Sequence, residues 1–178
     1  MRAIVLTTLV ATLTAVPLEA QARASDVETP EAVVTALYAS IVKPIGGYFD
    51  WARMRHLFRP SARMYPNPQQ TRGVARELTV DEFVAWIDSG WAAAPRGGPN
   101  DHGFAESQVF SRFERFGDVA HAFSTYEKGF MDDKVIRGRG INTIQLIRRD
   151  NRWWIVSIAW DEERAGQAVP QAYLPKRP

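Results

Sequence analysis

The sequence predicts an α+β fold in which N-terminal helices pack on a strongly curved antiparallel β-sheet. Three observations carry it. The first half holds three apolar repeats at helical spacing. From Phe116 to Glu163 the chain reads as consecutive strands with turn residues at each end. The final run, Trp153 to Trp160, is apolar at both parities, so both faces of that strand need cover.

In chain order, Met1-Arg2 gives a short positive start, and Ala3 to Leu18 is uncharged and rich in Leu, Val, Ala and Thr. Small residues follow at Ala20, Ala22 and Ala24, the pattern of a secretory signal peptide cleaved before Ser25, with cuts after Ala20 or Ala22 as alternatives. The apolar run is shorter than the ~20 residues of a membrane span. The organisation read is therefore a signal over 1–24, one domain over 25–165 and an extended tail over 166–178, with a periplasmic or secreted location. No membrane association is expected after cleavage.

Thr29 caps the first helix, with Pro30 at its first position and Glu31 in its first turn, and Val33, Val34, Leu37, Tyr38 and Ile41 repeat along it to about Lys43. Asp50 caps a second helix with Trp51, Met54, Leu57 and Phe58 on one face, ended by Arg59-Pro60. A short strand over 62–65 follows. Thr79 to Glu82 is a capping box for a third helix carrying Phe83, Trp86, Ile87 and Trp91. Pro95 to Gly103 is a loop long enough to line a pocket mouth. Gly117-Asp118, Met131 to Lys134 and Asp150-Asn151 then separate strands over 104–116, 119–130, 135–148 and 153–160.

Composition excludes several functions. With no cysteine there are no disulfides, thiolate nucleophiles or iron–sulfur ligands. The net charge of +2 does not call for nucleic acid, and Arg137-Gly138-Arg139-Gly140 is a single copy inside a strand pattern. His56, His102 and His121 show no metal-ligand spacing, and no metal or cofactor is expected. No nucleophile elbow or phosphate loop occurs.

Several segments together resemble the nuclear transport factor 2-like superfamily, the cone-shaped fold of ketosteroid isomerases and SnoaL-like polyketide cyclases. They are the Tyr38 helix, the helix-to-strand segment over 50–62, the turn over 116–121, and Asn151 to Ser157. The resemblance covers nearly all of the chain from Glu28 to about Glu163, and is greatest to small exported bacterial proteins of unassigned activity. It implies a cone pocket. Tyr38 falls where ketosteroid isomerases place an oxyanion-donating tyrosine, but the ordinary amphipathic core role is the favoured reading of it. Their aspartate base corresponds to Tyr65 before Pro66, which argues against steroid isomerisation.

Strand parity adds a further expectation. Ala120, Ala122 and Ser124 form a small-residue face taken as concave, which puts Ser124 and Tyr126 on the pocket wall. Tyr38, Trp86, Trp91, Ser124, Tyr126, Asn142, Trp160 and Asp161 are the expected ligand-binding residues. The leading reading is a non-catalytic module, homodimeric through the outer sheet face, that binds a small hydrophobic molecule. The alternative is a cofactor-independent lyase, isomerase or hydrolase acting on a hydrophobic carbonyl or polyketide-like substrate. Tyr38 or Tyr126 would then be the donor, and Asp161 or Glu106 the base. A carboxylate of raised pKa near either tyrosine would favour the enzyme.

Overall fold

The computed structural model describes residues 24–94, 96–133 and 135–176; the signal reading over 1–24 lies outside them but for Ala24. Thr29 starts the first helix, α1 (Pro30–Ser40), its hydroxyl accepting from the Ala32 amide at 3.0 Å while Pro30 sits where no amide hydrogen is needed. The helix is shorter than the apolar repeat suggests. Ile41 already leaves helical geometry, and the Lys43 backbone pairs with Phe104 across the fold. Asp50 caps α2 (Trp51–Leu57) by accepting from the Arg53 amide at 2.9 Å. Thr79 and Glu82 close the expected capping box of α3 (Val80–Trp91).

Among the described residues, five strands form one sheet in the order β1-β5-β4-β3-β2. They are β1 (Phe58–Tyr65), β2 (Ala105–Phe116), β3 (Val119–Gly129), β4 (Gly138–Arg149) and β5 (Arg152–Glu162). The four long strands pair antiparallel as expected. The sheet as a whole is mixed, because β1 begins directly at the end of α2 and runs parallel to β5. No hairpin turn constrains that pair; the whole of α3 and three strands lie between them, which leaves the chain free to return in either sense.

The small-residue face is the inner one. Ala120, Ala122, Ser124 and Tyr126 are buried, and the α1 residues Val33, Val34, Leu37 and Tyr38 are part of the same core. His121 points to the outer face, where its Nε2 lies 2.9 Å from the Thr143 hydroxyl. The doubly apolar character of β5 has two causes. An irregularity opposite Gln145/Leu146 leaves Val156 unpaired, so the buried set passes from Trp153 and Ile155 to Ile158 and shifts parity midway. On the outer face, Arg59 and Arg152 stack on Trp154 at 5.3 and 3.6 Å. Where a second protomer was expected as cover, the chain's own tail crosses part of the face. Tyr173 packs 4.8 Å from Phe123, and its carbonyl accepts from the fully buried Thr125 hydroxyl at 2.6 Å.

Asp101 fastens the two loops beside the third helix's end. One carboxylate oxygen accepts from Lys43 Nζ at 2.5 Å and the Gly103 amide at 3.3 Å, the other from the Gly46 and Gly97 amides at 2.9 and 2.8 Å. Lys43 first, then these amides, holds the carboxyl far below its ordinary range. Though its loop lies at the surface, the side chain itself has no exposed area.

The Arg137-to-Gly140 segment has a packing explanation. A Cβ on Gly140 would lie 2.6 Å from the Tyr126 hydroxyl and 2.4 Å from the Asp161 carbonyl, and one on Gly138 would lie 2.6 Å from Lys128 Cε. The two glycines make a trough across β4 through which side chains of β3 reach β5.

Two substitutions test these supports. Asp101→Asn is expected to lower the melting temperature by about 10 °C or more, read by circular dichroism, because it leaves the Lys43 ammonium buried without its counter-charge. Gly140→Ala is expected to cost roughly 2–4 kcal/mol in urea unfolding, because backbone and a buried ring must move; an unchanged midpoint would refute the trough.

Candidate functional site

A cavity of about 430 Å³ opens between the helices and the inner sheet face. Its wall is a run of aromatic rings in mutual contact. Phe49 stacks on Trp51 at 4.5 Å and meets Trp91 and Phe104 edgewise or tilted, and Phe83 meets Trp51, Trp86 and Trp160 edge to face. These contacts follow from the sequence. Helical spacing puts Phe83, Trp86 and Trp91 of α3 toward the cavity, and alternation puts Asn142 and Trp160, cross-strand partners on β4 and β5, on the same inner face.

Gln70, Glu106, Lys128, Asn142 and Glu162 bring polar groups to the apolar wall. Glu162 Oε1 accepts from Gln70 Nε2 at 2.5 Å, from the Tyr126 hydroxyl at 3.0 Å and from Lys128 Nζ. The Gln70 carbonyl in turn accepts from Trp160 Nε1 at 2.8 Å. Burial, followed by the negative charges of Glu106 and Glu162, pushes the Tyr126 hydroxyl pKa far upward, so it stays neutral and donates a hydrogen bond to Glu162.

Glu106 is held differently. It stands opposite Lys128 across the β2–β3 pair, and among the described residues its hydrogen bond is from Asn142 Nδ2 at 3.4 Å, near the limit of such contacts. Part of its surface lines the cavity, and the residue is half-buried overall. Burial therefore dominates and pushes its carboxyl up to about 7, against the opposing influence of Lys128 and Asn142 and with a contribution from Glu162. A group titrating there can give or take a proton at neutral pH.

Of the expected ligand-binding residues, Trp86, Trp91, Asn142 and Trp160 line the cavity. Tyr38 and Ser124 lie one layer behind it. Their hydroxyls are 2.8 Å apart, Asn142 Nδ2 donates to the Tyr38 oxygen at 3.0 Å, and Gln108 Nε2 donates to Ser124 at 2.8 Å. Tyr38 thus positions Asn142 and does not itself meet the cavity. Tyr126 likewise acts through Glu162. Asp161 corrects the reading: with Trp160 inward, alternation sends it to the outer face, where it accepts from Arg164 at 2.7 Å and Gln167 at 2.9 Å. Glu162, one residue on, takes the inner position. Lys128, Glu162 and Gln70 were missed; β3 parity, extended two residues past Tyr126, was the available signal for Lys128.

The His102 ring stacks on Phe130 with Nδ1 2.5 Å from Asp132, an exposed pair outside the cavity lining. Among the described residues, no group of three or more His, Asp or Glu side chains could hold a metal ion.

No family model matches the sequence, and no curated protein matches it. Solved structures do. A candidate calcium/calmodulin-dependent protein kinase type II association domain from Thiobacillus denitrificans has a TM-score of 0.56 at 17% identity, over 76% of this chain and 96% of that one. A candidate ketosteroid isomerase from Shewanella frigidimarina has a TM-score of 0.50 at 19% identity, over 72% and 91%. A nuclear transport factor 2-like protein of unknown function from Methylobacillus flagellatus has 0.50 at 13% identity, over 86% and 97%. At these identities the likeness concerns architecture alone, and neighbours of one architecture differ in activity. Three α-helices and a five-stranded mixed sheet among the described residues, matched over most of each of these chains, identify this protein's fold as nuclear transport factor 2-like.

Proposed function

We propose that the protein binds a small, predominantly apolar molecule in its aromatic cavity, with Glu106 exchanging a proton at the bound ligand. The observation that carries this reading is the cavity itself: about 430 Å³, walled by contiguous aromatic rings and provided with a few convergent polar groups. That size and composition are those of small-molecule sites. The leader-like residues 1–24 would deliver this binding activity outside the cytoplasm.

A second reading, cofactor-independent catalysis on a hydrophobic carbonyl compound, is favoured by the weak hold on Glu106. As a carboxylate it would take a proton from the carbon beside the carbonyl. An Asn142 N–H, released from its 3.4 Å contact with Glu106, would donate to the oxygen on which charge develops. Tyr38 would keep that amide oriented. Under this reading Glu106→Gln lowers turnover by about 10²–10⁴-fold while substrate binding changes much less.

Nile red, a neutral apolar dye, tests the cavity. Its fluorescence is expected to rise to saturation at one dye per chain, and Trp86→Ala is expected to weaken it by about tenfold by removing one wall. A folded wild-type protein that leaves the dye unchanged would refute the reading.

Glu106 also makes stability depend on pH. Its folded-state value of about 7 lies above the ordinary 4.5, so the folded chain keeps this proton where the unfolded chain has lost it. The contribution is fully present below about pH 4.5 and lost as the pH rises through 7. Relative to wild type, Glu106→Gln is expected to remove a fall on the order of 3 kcal/mol across this interval, read from urea midpoints in parallel buffers.

A further inference from the structure

The polar end of the cavity has an unequal charge balance. Glu106 and Glu162 both line it, and Lys128 supplies one positive charge, which its Nζ delivers to Glu162 Oε1. Tyr126 and Gln70 donate to that same oxygen. Glu106 is left with Asn142 at 3.4 Å and the Lys128 field from across the strand pair. The other titratable groups facing it are Glu162 from β5, Tyr126 from β3 and Tyr38 from α1, none of which supplies positive charge. Much of the remaining wall is aromatic rings, and the quadrupole of such a ring attracts cations. One of those rings already receives a cation: Lys43 Nζ sits 5.1 Å from the Trp91 centroid, although Asp101 holds its charge.

Resting on the cavity reading above, we propose that the ligand class is a lipophilic amine, whose ammonium group pairs with the Glu106 carboxylate while its apolar body lies against the aromatic belt. Neutral and anionic ligands of the same shape gain less. A neutral molecule leaves an ionised Glu106 without a counter-charge, and an anion adds a third negative group beside Glu106 and Glu162.

An ammonium ligand requires ionised Glu106, so binding and proton release are linked. With the carboxyl at about 7, amine affinity is expected to rise about tenfold between roughly pH 6 and pH 8, a range in which an alkylamine stays charged. The probes are phenethylamine, phenethyl alcohol and hydrocinnamate, alike in size and differing in charge. Isothermal calorimetry on the full mature chain, run at pH 7 in two buffers of different ionisation enthalpy, reads affinity and proton release together.

The expected result is tightest binding of the amine, a pH dependence confined to it, and release of about half a proton per amine bound at pH 7. In Glu106→Gln the preference for amine over alcohol collapses and the proton release disappears. Alcohol binding as tight as amine, without proton release, would overturn the ammonium proposal and leave the cavity reading intact. Failure of all three probes, together with failure of Nile red, would overturn both.

Discussion

Glu162 receives Tyr126, Lys128 and Gln70 on a single carboxylate oxygen. The two donors from β3 reach it only because β4 carries no side chain at positions 138 and 140. Neighbouring inward-facing side chains on a pleated sheet normally stand side by side and keep their own columns. Here two of them lie across the intervening strand. The result is a crosslink over three strands, made of side chains and seated at the polar end of the cavity. It fixes Glu162, and through Gln70 it fixes the Trp160 indole that forms part of the aromatic wall. Much of the site's geometry follows from those two missing side chains.

A void beside such a network has to be argued for, since cores close wherever side chains can move inward. Three features keep this one open. The wall consists of large rings that already brace one another, tilted, stacked and edge to face in turn, from Phe104 through Phe49 and Trp51 to Phe83. Ala120, Ala122 and Ser124 are small, buried and outside the lining, so the core behind the cavity is already closed. The Asp101 clamp ties Lys43, Gly46, Gly97 and Gly103 together, so the loops at this end are spaced by hydrogen bonds rather than by apolar packing. Collapse would have to break that clamp or tilt a ring out of contact, and both cost more than the modest area to be gained.

Much of this fold was legible in the sequence because its signals are local. The Thr79–Glu82 capping box, the Thr29 cap with Pro30, and the Gly117-Asp118 turn each act over a few residues, and each occurs where expected. The inner face of β3 followed from side-chain size at alternate positions. What was not legible depends on distant partners. The parallel seating of β1 is decided by a strand some 90 residues later. Buried Lys43 reads as a helix-end lysine until Asp101 is known to meet it. The exchange of Asp161 for Glu162 is the instructive failure: two consecutive strand residues cannot both face inward, so choosing Trp160 already excluded Asp161. Glu106 stood among the possible bases, yet its distinction is that Lys128 is engaged elsewhere, a fact about β5 that β2 does not contain.

The position of Glu106 bears on what the fold is used for. A chain selected only for stability gains by replacing a poorly paired carboxyl in a hydrophobic cavity with an amide or an apolar residue, because its ionisation is disfavoured there. Glu162, on β5 at the other side of β3 and β4, shows what full satisfaction looks like: three donors, one of them the Lys128 counter-charge. The two carboxylates differ as a structural group differs from one held in reserve. Tyr38 and Ser124 complete the contrast, since they spend their hydroxyls on orienting Asn142, whose amide is the one hydrogen-bond donor to Glu106 among the described residues and reaches it only at 3.4 Å. A network that supports a weak contact so firmly fixes where a displacing ligand must arrive.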